Sequence, residues 1–300
     1  MSDMTSRISS VLMLLVLMCS TNITLACFGG RKYVDNAGEL YAIRVPGIVN
    51  KQMLSLSDAI EIVNRYHWIY VNSSCKTLPE AKHEATQLAD AVGRPAVLVF
   101  MPRHIGDGQR NTYHPHFQSS LFALLESVLS SDGTVLISAK SYGVHQSLRL
   151  IRNFDSPQIL LTGIAPAFGA FGNVWSEGVD QHINDVKNTR ARYCMIASRQ
   201  DGFTWRRGGA AYRRNGTFRG DKNIGEAMEH NSENVTIVKL QGANHKPITE
   251  YIDHGLVGAM QDCVDHFGMR DTAAGDVAYA RMFAPQRPVW VVPVVWMPLQ

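Results

Sequence analysis

Thr134-Val-Leu-Ile-Ser138, then Ala139-Lys140-Ser141-Tyr142-Gly143, then Val144–Asn153 (VHQSLRLIRN) is the stretch that decides how this chain folds. Thr134–Ile137 are apolar or β-branched and read as a buried strand. Residues 144–153 carry apolar side chains at helical spacing and read as a helix. Only one sharp turn fits between the two, with Ser141 at its tip. Residues two before and two after such a serine must be small, because larger side chains would strike the neighbouring strand and helix. Ala139 and Gly143 meet that need. The helix starts at the serine, so its free N–H groups and positive dipole end face any anion formed there. Ser141 is therefore a candidate nucleophile. A serine that only caps a helix fits the local pattern as well.

Outward from this turn, apolar runs alternate with amphipathic ones. Strands are expected at Glu39–Arg44, His67–Asn72, Ala96–Met101, Gln158–Thr162, Arg192–Ala197 and Val235–Leu240. Helices are expected at Ser55–Arg65, Leu78–Val92, Phe117–Leu129 and, as one long final helix, Ile248–Phe267. Thr77 can cap the Leu78–Val92 helix, Pro79 sits in its first turn and Gly93 follows its end. Strands apolar on both faces, alternating with helices, imply an α/β protein. Its central sheet is mostly parallel, with helices on both faces.

The 300 residues are 45% hydrophobic and 18% charged, which excludes a disordered chain. A net charge of +3 is too small to argue for a nucleic-acid partner. No run reaches the roughly 18 apolar residues of a membrane-spanning helix. Arg7, the apolar run Val11–Met18 and Thr24-Leu25-Ala26 read as a signal peptide over residues 1–26, which implies a secreted or periplasmic protein. A buried first helix is the alternative. Cys27 would then be the first mature residue, so a lipoprotein is a further reading, although Leu25 stands at −2 rather than −3. Residues 27–268 would form one domain, followed by a tail over 269–300. Once the signal with Cys19 is removed, Cys27, Cys75, Cys194 and Cys263 remain, an even number for an oxidising compartment. A strand beside the final helix is a natural crossing point, so Cys194–Cys263 is expected, with Cys27–Cys75 as the remainder. Buried thiols are the alternative. No CxxC spacing supports a metal site.

The strand, Ser141 turn and helix resemble the nucleophile elbow of the α/β-hydrolase family, lipase/esterase type. The resemblance implies the α/β-hydrolase fold and a serine hydrolase needing no cofactor or metal, with a triad ordered Ser, acid, His along the chain. Val235–Leu240 runs into Gln241-Gly242-Ala243-Asn244-His245, and His245 matches the family's base. A histidine can take the serine proton and return it to the leaving group. His104, His114 and His116 cluster after the Ala96–Met101 strand, where a metal site is a conceivable reading that the neighbouring sequence does not support with a convincing ligand geometry. Arg192–Ala197 leads into Ser198-Arg199-Gln200-Asp201-Gly202, and Asp201 matches the acid. An ordinary Asp-Gly turn is the alternative there. Asp180 and Asp185, one strand earlier, remain competitors. The backbone N–H of Tyr142 would be one oxyanion donor. Ser73 would supply the other, in YVNSS…TLPEAKHEATQLADA, a stretch similar to the Asn-Gly oxyanion segment of certain bacterial secreted hydrolases, with Ser73 in place of Gly. The loop at Met101–His104 is the second candidate.

Three segments bear on the substrate. Residues 165–185 carry Phe168, Phe171 and Trp175 among glycines, as a cap over an apolar pocket or a plain connection. Residues 204–222 hold Arg206, Arg207, Arg213, Arg214, Arg219 and Lys222 against Asp221, as an anion- or lipid-facing loop or a solvated one. The tail RPVWVVPVVWMPLQ (287–300) is an extended segment packed on the domain, a lipid-facing strip or a partner strand. The expected substrate is a small-molecule or lipid ester, with peripheral lipid contact through the tail and basic loop. A thioesterase, acyltransferase or peptidase on the same triad, or a non-catalytic secreted binding protein, are the rival readings.

Overall fold

The structure, a computed structural model, describes residues 36–73, 76–101, 115–166, 184, 186–198, 200–201, 233–245 and 247–267. Its strands are β1 (Leu40–Ile43), β2 (Met53–Leu54), β3 (Trp68–Val71), β4 (Ala96–Val99), β5 (Val135–Lys140), β6 (Ile159–Ile164), β7 (Arg192–Ser198) and β8 (Val235–Leu240). They form one sheet in the order β2-β1-β4-β3-β5-β6-β7-β8. From β4 to β8 all neighbours are parallel, and only β1 runs against its neighbours β2 and β4. The helices among the described residues are α1 (Leu56–Tyr66), α2 (Leu78–Val92), α3 (Pro115–Ser130), α4 (Tyr142–Ile151), α5 (Ile248–Asp253) and α6 (Leu256–His266).

Every residue of β1, β3, β4, β5 and β6 is buried. A parallel sheet sandwiched between helices requires this. Alternation along the strands sends Ile69, Val71, Ile137, Ala139 and Leu161 to one face, where α1, α3 and α4 bring Val63, Leu124 and Leu148. Trp68, Tyr70, Leu136 and Leu160 go to the other face, against Leu88 of α2, Tyr251 of α5 and Met260 of α6. The disulfide Cys194–Cys263, with Cα atoms 5.8 Å apart, joins β7 to α6 as expected.

The structure departs from the sequence reading in three places. The final helix is not continuous over 248–267. It breaks at His254 and Gly255, where Gly255 takes φ +96° and starts α6. Glycine enters this left-handed region without the Cβ clash other residues meet. Sequence reading also missed β2, which pairs Met53 and Leu54 with Tyr41 and Leu40. Two residues are too few to show a period. At the elbow, β5 extends as far as Lys140 and α4 begins at Tyr142, so the turn is tighter than expected. The expected signal peptide, Cys27–Cys75, the aromatic residues of 165–185, the basic loop and the tail lie outside the described residues.

Candidate active site

Because β3, β5, β7 and β8 are parallel, Ser73, Ser141, Asp201 and His245, each just past a strand, share the carboxyl edge of the sheet. Binding sites of open α/β sheets gather at that edge.

Ser141 sits at φ 52°, ψ −117°. A positive φ is unfavourable for a side chain other than glycine and persists only where the surroundings enforce it. Here the Ser141 N–H donates to the Ile164 carbonyl at 2.8 Å, and the Val144 N–H donates to the Ser141 carbonyl at 3.2 Å. Gly143 shows why the following position must be small. A Cβ there would lie 2.5 Å from the Asn72 carbonyl oxygen, a backbone atom with no room to retreat. Ala139 is fully buried on the face of the sheet that α1, α3 and α4 cover.

Ser141 Oγ lies 2.9 Å from His245 Nε2. On the far side of the ring, His245 Nδ1 lies 2.9 Å from Asp201 Oδ2 and 3.1 Å from Oδ1. An ionised carboxylate can only accept, so Nδ1 carries the hydrogen and a neutral imidazole presents Nε2 as acceptor to the serine. Asp201 is completely buried. The Tyr251 hydroxyl donates to its Oδ2 at 2.8 Å. The structure thus brings Ser141, His245 and Asp201 into one hydrogen-bonded line. Asp180 and Asp185 lie outside the described residues.

Sequence reading missed Tyr251 and Gln200. Gln200 Oε1 accepts the Gly242 N–H at 3.0 Å and the Ser198 hydroxyl at 3.1 Å, tying the turn that carries Asp201 to the turn that carries His245. Nothing in the local sequence marks either residue, because Gly242 and Asp201, the partners that tie them to the site, are 42 and 50 residues away.

Ser73 is buried just past β3, which pairs directly with β5. The Asn72 side chain fixes the backbone there. Its Nδ2 donates to the carbonyls of Ser73 and Met101, and its Oδ1 accepts the Met101 N–H, each at 2.8 Å. The rival segment starts after β4, which β3 separates from β5, so adjacency favours Ser73. Residues 102–104 lie outside the described residues. Tyr142 stacks on His145 with centroids 5.1 Å apart and planes at 16°. Burial pushes its phenol up to about 12, opposed by a hydrogen bond with Gln146, so it is neutral at physiological pH. His104 and His114 lie outside the described residues, and His116 is an exposed residue of α3. Among the described residues no group of three or more His, Cys, Asp or Glu is placed to hold a metal ion.

On the helix layer behind the elbow, Lys140 and Glu84 form a buried ion pair, with Lys140 Nζ 3.1 Å from Glu84 Oε2. Sequence reading missed this pair too. An α2 glutamate at helical spacing looks like any other charged helix position.

No family model matches the chain, and no curated protein matches it. Among solved structures it is similar to an α/β serine hydrolase without a lid from Xanthomonas campestris, at 17% identity, over 76% of this chain and 87% of that one, with a TM-score of 0.43. It is also similar to a predicted CIB-like hydrolase from Thermoplasma acidophilum, at 12% identity, over 80% and 98%, with a TM-score of 0.43. A monoacylglycerol lipase from Paleococcus ferrophilus matches at 10% identity, over 66% and 94%, with a TM-score of 0.41. Likeness at this level says nothing about substrate.

Proposed function

We propose that this chain, which has the α/β-hydrolase fold, is a secreted serine hydrolase that cleaves an ester, with a lipid or other apolar acyl group as substrate. The observation that carries this reading is the line Ser141 Oγ, His245, Asp201, with 2.9 Å at each junction. Ser141 attacks the ester carbonyl while His245 Nε2 takes its proton. Asp201 holds the productive tautomer and balances the imidazolium that forms. The tetrahedral oxyanion is received by the N–H groups of Tyr142 and Ser73. His245 returns the proton to the leaving alcohol, and an acyl-Ser141 enzyme remains. Water, deprotonated by the same His245, then releases the acid and restores the serine.

Export is supported by the apolar run of residues 11–18 and by the Cys194–Cys263 disulfide, which suits an oxidising compartment. The apolar substrate is supported by the aromatic residues at 168, 171 and 175 and by the tail. Labelling with a fluorophosphonate tests the reading. The wild type should react at one serine, and Ser141→Ala should lose labelling with its melting temperature unchanged. Ester turnover should fall by several orders of magnitude. Labelling that persists in Ser141→Ala removes the assignment. A panel of p-nitrophenyl esters of increasing acyl length then tests the apolar acyl group, with a preference for acetate over all longer chains as the contrary result.

A further inference from the structure

Glu84 is the hub of a buried ionic cluster that the chemistry above leaves unused. Its side chain is 3% exposed, and that of Lys140 2%. Glu84 Oε1 accepts the Tyr70 hydroxyl at 2.5 Å. Oε2 lies 3.1 Å from Lys140 Nζ and 3.6 Å from Lys76 Nζ. Taking charges out of water is costly, and a well-packed apolar cluster in the same place is often as stable or more so. Stability alone is thus a weak reason for this arrangement.

Its three partners bracket the oxyanion site. Tyr70 precedes Ser73 on β3, and Lys76 follows it. Lys140 ends β5, immediately before Ser141 and Tyr142. β3 and β5 are paired here, Tyr70 with Ser138 and Val71 with Ala139. One carboxylate on α2 therefore reaches both strand ends that carry the two oxyanion donors. The buried contact is Lys140 with Glu84, while Lys76 reaches the same carboxylate from a partly exposed position.

Resting on the serine-hydrolase reading, we infer that Glu84 is a positioning residue for the oxyanion site: through Tyr70, Lys76 and Lys140 it locks the ends of β3 and β5 together and sets the separation of the Ser73 and Tyr142 N–H groups. Misplacing such donors by about 1 Å costs on the order of 10²-fold in rate.

The test measures kcat and KM on p-nitrophenyl acetate per titratable serine, counted with a fluorophosphonate, well below each variant's melting temperature. Glu84→Gln should lower kcat about 10- to 100-fold with KM within about twofold. Its affinity for an alkyl boronic acid, which mimics the tetrahedral adduct, should fall by the same factor as kcat/KM. Tyr70→Phe removes one hydrogen bond of the hub and should cost roughly three- to tenfold in kcat. It decides the matter if Glu84→Gln does not fold. Wild-type kcat per titrated serine in the folded variants, with only a lower melting temperature, overturns the inference and leaves the hydrolase reading standing. A wild type that no fluorophosphonate labels overturns both.

Discussion

Tyr251 donates its hydroxyl to Oδ2 of Asp201 at 2.8 Å, the same oxygen that lies 2.9 Å from His245 Nδ1. The tyrosine is fully buried on α5 and belongs to the apolar layer against the sheet. A buried carboxylate needs donors for its lone pairs, and a phenol fixed by packing is a rigid one. Tyr251→Phe keeps the ring and removes the hydroxyl. Stability should fall by about 1 kcal/mol, and kcat by roughly three- to tenfold, as the carboxylate loses one of its restraints. Thermal melts and ester kinetics check both, and unchanged kcat would show that the Tyr251 hydroxyl is not needed to orient Asp201.

Asp201→Asn keeps the shape of the acid and removes its charge. The amide NH2 can donate to His245 Nδ1 where the carboxylate could only accept, so the wrong tautomer faces Ser141 and no charge balances the imidazolium. Turnover should drop about 10³- to 10⁴-fold. Asp180→Asn and Asp185→Asn should stay within a few-fold of wild type. Near-normal activity in Asp201→Asn, with loss in either of the others, would move the acid one strand earlier.

The Cys194–Cys263 disulfide closes a stretch of 69 residues between β7 and α6. On a chain-entropy estimate, a loop of that length adds about 4 kcal/mol by restricting the unfolded chain. Cys194→Ala with Cys263→Ala should lower the urea midpoint accordingly, and reducing agent should do the same to the wild type but not to the double variant. Free thiols at both positions in non-reducing peptide mass mapping of the protein would contradict the bond.

Glu84 also predicts an acid limit of stability. Burial by itself would raise its pKa. Lys140, the Tyr70 hydrogen bond and Lys76 together outweigh burial and hold the carboxyl below its usual 4.5. The folded state therefore binds this proton less readily than the unfolded chain. The resulting stability is present above about pH 4.5 and is lost as pH falls through the lower folded value. Melting temperature should fall more steeply for wild type than for Glu84→Gln as the pH drops below about 4.5. Parallel curves would sink the prediction.

Local constraints make the elbow and most of the fold legible in the sequence. Ala139 and Gly143 mark the turn within five residues of sequence, although the atoms a larger Gly143 would strike, the Asn72 carbonyl and Val71, belong to the neighbouring strand segment. Thr77, Pro79 and Gly93 bound α2 at Leu78 and Val92, as the sequence signals required. The two-residue β2 carries no period, and the break at Gly255 hides inside a run whose apolar residues keep helical spacing.

His245 and Asp201 could be nominated by their places after β8 and β7, but only the folded sheet brings them together. The pairs His245–Asp201, Tyr251–Asp201 and Lys140–Glu84 are separated by 44, 50 and 56 residues. Periodicity along a chain reports which side chains face the core. It carries no record of which distant side chain they meet there, because that depends on strand order and on how each helix seats against the sheet.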